Sequence, residues 1–307
     1  MINTIEFPGI GIGPFDINSI AIKNVFWSGR DIAWYGIFVM LGILSGIFYS
    51  FWRGRKNNDI IVDDMMDIAI FSIPAAIIGA RLYYVVFNLK AFPTLFSVIE
   101  IWNGGLAVYG GIIFGFVTAF FVCKFKKLSI LKVFDSTAPA IMLGQIIGRW
   151  GNFTNAEVFG IKTGLPWGMS INGAAAVHPI FIYESLWNLV GFIIINLIYK
   201  KKKFDGQIFL MYIAWYGFGR MLIEGIRDEF DTLKLGVFRI SQVVGFLCFV
   251  IGIAIFVLLL MKYKNQKLEN EAYEEVYVSA KSKLTDNNDD AENEIDEIEN
   301  IEEDNKT

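Results

Sequence analysis

The sequence predicts an all-α polytopic membrane protein: seven transmembrane helices, the N-terminus outside and the C-terminus cytoplasmic. Three observations carry that expectation. The 307 residues are 54% hydrophobic and only 19% charged, with a mean hydropathy of +0.47, a composition of polytopic membrane proteins and not of soluble globules. Seven apolar runs approach the roughly 20 residues that a bilayer core requires. The basic residues between them cluster on alternate connections, as the cytoplasmic faces of such proteins do.

Residues 1–31 precede the first run and are expected outside the membrane. They lack the basic-then-apolar layout of a cleaved leader, so the first span is expected to insert directly. The spans are Ile32–Phe51, Met66–Phe87, Leu106–Val122, Val133–Ile147, Ile180–Tyr199, Gln207–Ile223 and Ile240–Met261. Between the second and third, Ala91–Trp102 is amphipathic and too short to span, and is expected in the interface. Residues 32–261 thus form the catalytic or transport body. Glycines four apart at Gly42/Gly46, Gly111/Gly115 and Gly144/Gly148 suit close helix packing. The 28 Phe, 12 Tyr and 8 Trp suit lipid-facing surfaces and aromatic belts.

Charge fixes the orientation. Arg53, Arg55 and Lys56 follow span one; Lys124, Lys126, Lys127 and Lys132 separate spans three and four. Lys200–Lys203 follow span five, and Lys262, Lys264 and Lys267 follow span seven. Strict alternation puts all four clusters on one side, the cytoplasmic one. The formal net charge of -4 averages two unlike regions. From Glu269 onward there are 15 Asp/Glu against 3 Lys, whereas the preceding chain holds 24 basic and 16 acidic residues. Residues 262–307 therefore read as a basic-then-acidic, disordered cytoplasmic tail, too poor in apolar side chains to bury a core. Cys123 and Cys248 both lie in apolar runs and read as packing residues. With one histidine, no metal-site spacing exists.

The polar residues inside the spans converge on the outer side. Tyr35 opens span one, Arg81 lies in the last third of span two, and Asn103 and Tyr109 open span three. Arg149, Asn152, Asn155 and Glu157 leave span four outward; His178, Tyr183 and Glu184 start span five. Tyr216, Arg220, Glu224 and Arg227 step by four, four and three along one face of span six. Charges at that depth mark a pathway or a head-group pocket. Singly, each has a plainer account: Arg149 snorkelling to bulk phosphates, Glu224 only neutralising Arg220, His178 a turn residue before Pro179, Tyr35 and Tyr109 belt tyrosines. Asp135, at the inner end of span four, reads as structural and suited to capping that helix.

One stretch stands apart, Gly148-Arg-Trp-Gly-Asn-Phe-Thr-Asn-Ala-Glu-Val-Phe-Gly160. It resembles the signature of the prolipoprotein diacylglyceryl transferase family. Trp34-Tyr-Gly36, Gly79-Ala-Arg-Leu-Tyr-Tyr-Val85 and Ile101-Trp-Asn-Gly-Gly-Leu-Ala-Val-Tyr-Gly-Gly111 extend the resemblance. So do His178-Pro-Ile-Phe-Ile-Tyr-Glu184 and Tyr216-Gly-Phe-Gly-Arg-Met-Leu-Ile-Glu-Gly-Ile-Arg227. They stand in family order and cover about Ile32 to Met261. The resemblance implies a seven-span enzyme of the bacterial cytoplasmic membrane, its active site toward the outer leaflet. Such an enzyme moves the diacylglyceryl group of phosphatidylglycerol to the lipobox cysteine of a preprolipoprotein and releases glycerol 1-phosphate. It implies that Arg149 binds the lipid phosphate and that Arg220 with Tyr216 forms the other half of the reaction site. Tyr35, Asn152, Glu157 and Gly160 match further motif positions, and Glu224 accompanies Arg220. Many members carry a histidine where this chain has Tyr109, and a phenol, titrating near about 10, is a poor base at neutrality.

The chemistry agrees with that reading. A phosphodiester calls for a cation that stays charged and offers a planar fork, hence arginine. Displacement at carbon builds charge on the leaving phosphate, which two arginines in low dielectric oppose. The same field favours ionisation of the substrate thiol, with Tyr109 hydrogen-bonding the thiolate or relaying its proton. No metal or other cofactor is called for, and no nucleic acid. The partners implied are phosphatidylglycerol, the preprolipoprotein lipobox segment and the bilayer itself. The rival readings are an anion transporter or flippase, disfavoured by the lack of visible internal repeats, and a catalytically weak lipid-binding relative.

Overall fold

The computed structural model describes residues 2–25, 30–57, 60–92, 94–101, 104–228 and 234–285. It is mostly helical, with three small sheets among the described residues. The long helices are α1 (Trp34–Asn57), α2 (Val62–Phe87), α4 (Val108–Phe125), α5 (Ile130–Thr154), α6 (Ile180–Tyr199), α7 (Gln207–Gly225) and α8 (Ile240–Thr285). Each predicted run overlaps one of them; Ile32–Ala33 and Leu106–Ala107 precede α1 and α4. Six are long and apolar enough to cross a membrane; α7 is the exception, since Gln207, Arg220 and Glu224 lower its mean hydropathy. The interfacial piece contracts to α3 (Leu95–Ile99), started by Thr94, whose Oγ1 accepts from Ser97 N at 3.2 Å.

The expectation of an all-α chain needs correcting. Strands β1 (Ile2–Phe7), β2 (Ile12–Asn18) and β5 (Ser170–Ile171) form a sheet in the order β2-β1-β5, all antiparallel. Strand β3 (Ile20–Val25) pairs with β4 (Arg30–Ala33), and β6 (Lys234–Leu235) with β7 (Phe238–Arg239). The alternation Ile2-Asn3-Thr4-Ile5-Glu6-Phe7 is a strand signal, and its inward members Ile5 and Phe7 are buried with Met169 and Phe181 beside Phe153 and Phe159. Residues 2–7 are thereby tied to the α5–α6 connection instead of standing as a separate segment.

Helices meet where side chains are absent. A Cβ on Gly42 would stand 3.0 Å from Gly144 O, and one on Gly46 3.1 Å from Ala140 O, so α1 and α5 cross backbone to backbone. On α4, Gly110 similarly faces Gly79 of α2. Gly148, the last of the predicted glycine positions, has open space instead. Ala138, Met142, Ile195, Tyr199, Ile208 and Tyr212 form the core shared by α5, α6 and α7. That core is locked by two tryptophans: Trp187 and Trp215 stack 4.4 Å apart, and each indole N–H donates to the other's carbonyl, at 3.0 and 2.9 Å. Gly219 and Gly191 make room for them, since a Cβ there would fall 2.1 and 2.3 Å from the two indole nitrogens.

At the far end of the bundle, three expectations change. Arg53, expected among solvated loop charges, is buried on α1. Its Nε donates to Tyr49 Oη at 3.0 Å, another guanidinium N–H donates to Asn196 Oδ1, and the Tyr199 ring lies 4.2 Å away. The helix simply continues six residues past the predicted end, to Asn57. Asp135 does not cap its own helix; it caps α7 from outside, accepting from Gly206 N at 2.9 Å and Phe209 N at 3.0 Å. It is wholly buried and pairs with Lys202 at 3.4 Å. An α-helix leaves its first N–H groups without partners, and Gly206, the residue before α7, offers no side chain to serve them. Lys126, just past α4, reaches Asp64 (2.8 Å) and Asp67 of α2, whose hydrogen bonds hold its ammonium above the usual lysine range.

Residues Met1–Ile253 form one compact unit and Ala254–Thr307 a second. Helix α8 passes Met261, the predicted end of the last span, and continues to Thr285. The stretch is free of Gly and Pro and carries an i,i+4 pair, Lys267–Glu271 at 3.4 Å. The acidic residues from 286 on lie outside the described residues.

Candidate functional site

The helices α5, α6 and α7 deliver charged side chains to one end of the bundle. Helix α5 is longer than the predicted span four: it runs through Gly148–Thr154, so Arg149 and Asn152 sit on a helix and not on an exiting loop. It stops where Ala156 and Val158 adopt left-handed φ values of 52° and 60°. Near the start of α6 stands Glu184, the only acidic residue of that helix. Arg220 and Glu224 occupy the last turns of α7.

Glu184 links the two arginines. Its Oε2 lies 2.8 Å from Arg149 Nε, and its Oε1 accepts from Arg220 Nη1 at 2.9 Å. Arg220 Nη2 stands 2.9 Å from Glu224 Oε2, and Arg227 Nη1 stands 3.5 Å from that same oxygen. Three guanidiniums thus share two carboxylates, leaving a formal charge of +1. The carboxylates are sealed, Glu184 at 6% and Glu224 at 2% exposure, whereas the Arg149 and Arg220 side chains keep 21% and 20%. Glu184 Oε2 and Glu224 Oε2 meet their arginines off the hydrogen-bond axis. Arg149, Glu184, Trp187, Asn188, Tyr216, Gly219, Arg220 and Ile223 line a narrow cleft beside the cluster. Tyr109, in the first turn of α4, is half exposed and within electrostatic reach of Arg220.

The remaining motif residues gather around this cluster in other ways. Asn152 Nδ2 donates to Glu157 Oε1 at 2.9 Å, and Glu157 N to Asn152 O at 3.1 Å, so the two close the end of α5 on each other. Tyr35, 40% exposed, lays its ring beside Gly151, whose Cβ would come within 3.0 Å of Tyr35 Cδ2. Gly160 is a pinch point: a Cβ there would stand 2.6 Å from both His178 Cβ and Ile226 O, and its N–H donates to His178 O at 2.8 Å. His178 Nδ1 lies 3.1 Å from Tyr183 Oη, which also accepts from Trp167 Nε1 at 2.8 Å. Asn103 and Trp102 lie outside the described residues.

Arg81 separates from the group. Its guanidinium donates to five carbonyls, those of Val98 (2.8 Å), Gly104 (2.6 Å), Gly105 (3.0 Å), Ser97 (2.8 Å) and Glu100 (3.1 Å). It winds the segment that precedes Tyr109 around itself.

Sequence reasoning counted Glu184 among the converging polar residues without giving it a role, and left out Arg239. One carboxylate in an otherwise apolar twenty-residue helix was the available signal for Glu184 as the joint between the arginines. Arg239, buried after β6, donates to Glu224 O at 2.7 Å and Arg227 O at 2.6 Å. It fixes the turn that carries Glu224 and Arg227. Nothing local in the sequence marks it.

A family model, prolipoprotein diacylglyceryl transferase, matches residues 24–258. A phosphatidylglycerol–prolipoprotein diacylglyceryl transferase of Finegoldia magna is 42% identical over 245 residues, covering 79% of this chain and 96% of the relative. The Clostridioides difficile enzyme of that name is 41% identical over 238 residues, covering 77% and 94%. The Listeria innocua one is 35% identical over 283 residues, covering 87% and 96%.

Proposed function

The chain belongs to the prolipoprotein diacylglyceryl transferase family, and we propose from that premise how its own residues carry the family's reaction. The reaction moves the diacylglyceryl group of phosphatidylglycerol to a lipobox cysteine. The observation that carries the reading is the Glu184 carboxylate shared by Arg149 and Arg220 in one cleft. Because Arg149 meets Glu184 through Nε, its Nη groups take the lipid phosphate as a planar fork. The cluster's single net positive charge matches the single negative charge of a phosphodiester.

The cysteine sulfur attacks the terminal glycerol carbon of the diacylglyceryl group; the carbon–oxygen bond to phosphate breaks and a thioether forms. Glycerol 1-phosphate leaves with one more negative charge than the diester carried. Arg149 and Arg220 are already placed by Glu184 and Glu224, so they meet that charge without reorganising. The thiol gives up its proton in the arginine field, and Tyr109 holds the thiolate or relays the proton. Tyr216 borders the reacting groups from the α7 side. Asn152 and Glu157 shape the end of α5, and Tyr35 and Gly160 its flanks.

The six apolar helices mark a multi-pass membrane protein, and α7 completes a seven-span bundle because its polar residues face α5 and α6. The basic clusters put the Lys202 end in the cytoplasm. The N-terminus and the Arg149 cleft then face the outer leaflet of the bacterial cell membrane, and α8 leads into a cytoplasmic tail. Neither internal repeats nor paired broken helices favour a transporter. The test is incubation of the purified protein with phosphatidylglycerol vesicles and a lipobox peptide. A mass gain of one diacylglyceryl unit on cysteine is expected. An unmodified peptide, with the lipid bound, would overturn the assignment.

A further inference from the structure

The polar surface does not end at the ion cluster. Helices α5 and α6 run antiparallel in a register set by three contacts: Arg149 with Glu184, Ser185 Oγ donating to Ile146 O at 3.2 Å, and Gly191 against Met142. The same register sets Asn188 at the level of Gln145, one helical turn farther into the bundle than the Glu184–Arg149 pair. On α7 the corresponding turn holds Tyr216, below Arg220.

Two acceptors at this level are unused. Asn188 is 2% exposed, and its Oδ1 is sealed from solvent without a hydrogen-bond partner. Gln145 Oε1 is in the same condition, although Gln145 Nε2 donates to Tyr212 Oη at 3.1 Å. Asn188 also lines the arginine cleft. A buried carbonyl oxygen without a donor is a cost that native structures rarely leave standing, and this one borders the space where the substrate goes.

The substrates restrict what the donor can be. A phosphodiester is ionised at neutral pH and, like the acyl esters, only accepts. The head-group glycerol carries two hydroxyls, each a donor, a few bonds from the phosphate that Arg149 and Arg220 hold. That distance matches one helical turn, about 5.4 Å. Resting on the transferase reading, we propose that Asn188 is a specificity-determining residue: its Oδ1 accepts from a glycerol hydroxyl of the phosphatidylglycerol head group. Gln145 Oε1, at the same level, supplies a second acceptor for the second hydroxyl. The arginines recognise any phosphodiester; the carboxamide layer beneath them recognises the alcohol attached to it.

Phosphatidylpropanol isolates this contact. It has the same charge, the same diester and the same diacylglyceryl group, but its head group has no hydroxyl. The experiment measures kcat/KM for diacylglyceryl transfer to a lipobox peptide from each lipid in detergent micelles. The wild type is expected to prefer phosphatidylglycerol by about tenfold or more. Asn188→Leu, similar in shape and unable to accept, is expected to lower the phosphatidylglycerol value far more than the phosphatidylpropanol value, bringing the ratio toward one. Asn188→Ser, which keeps an acceptor, retains part of the preference. A wild-type enzyme with no preference, or a leucine variant that keeps the wild-type ratio, overturns the proposal. So does an equal loss on both lipids in both variants, which would make Asn188 a packing residue or place a water or the peptide there. Absence of transfer from either lipid by the wild type would instead defeat the transferase reading itself.

Discussion

Arg81 and Arg149 hold similar places in their helices. Each is a lone arginine placed about six residues before the end of an apolar helix, and the two helices run the same way under strict alternation. Their surroundings could hardly differ more. Arg81 is 6% exposed and gives its donors to five backbone carbonyls of residues 97–105. Arg149 keeps 21% of its side chain exposed and meets one carboxylate through one nitrogen. An arginine wrapped in carbonyls is spent on holding a segment in shape. One steadied by a neighbouring carboxylate, with nitrogens to spare, is available to an anionic ligand. Position in a helix does not separate these cases; the identity of the acceptors does.

That contrast can be broken in four ways. The largest effect is expected for Arg149→Ala, which should lower kcat/KM for transfer about 100- to 1000-fold while thermal unfolding moves little; Arg149→Lys should remain severely impaired because the fork is lost. Near-normal transfer by the alanine variant would move the phosphate site elsewhere. Arg81→Met should show the reverse pattern, orphaned carbonyls lowering the melting temperature by about 5 °C or more. A stable but inactive Arg81 variant would put Arg81 back among the reacting groups.

Next comes Gly219→Ala, whose new methyl meets Trp187 Nε1. A loss of about 1–3 kcal/mol in chemical denaturation is expected, with a cleft distorted at Arg220, the adjacent residue. Unchanged stability would mean that the tryptophan pair can slide apart. The smallest effect is that of Tyr109→Phe, about tenfold or less in transfer with lipid binding unaltered. Undiminished activity would remove Tyr109 from the chemistry.

Much of the architecture was legible because the bilayer imposes a length. Each predicted span matches a helix; of the span-six stripe, Tyr216 and Arg220 line the cleft, Glu224 pairs with Arg220 behind it, and Arg227 lies past the helix end. Helix ends were less legible. Arg149 and Asn152 looked like the start of a loop because hydropathy falls there, yet a helix can continue through polar residues when they have partners. The strands were missed although most pair locally, Ile2–Phe7 with Ile12–Asn18 and Ile20–Val25 with Arg30–Ala33, because they are short and lie outside the apolar runs; the Ser170–Ile171 partner of Ile2–Phe7 is the remote one. Glu184, Asn188 and Arg239 matter through neighbours on other helices, and a single sequence does not name those neighbours.

Asp135 has a bearing on how the molecule is assembled. Its helix, α5, is synthesised before α7, so the carboxylate enters apolar surroundings ahead of the Gly206 and Phe209 amides that receive it. Until α7 arrives, the carboxylate lacks those two amide donors and has only Lys202 from the preceding turn. The arrival of α7 supplies them, and the same event brings Arg220 to Glu184. Completion of the fold and completion of the cleft are thus a single step of biogenesis.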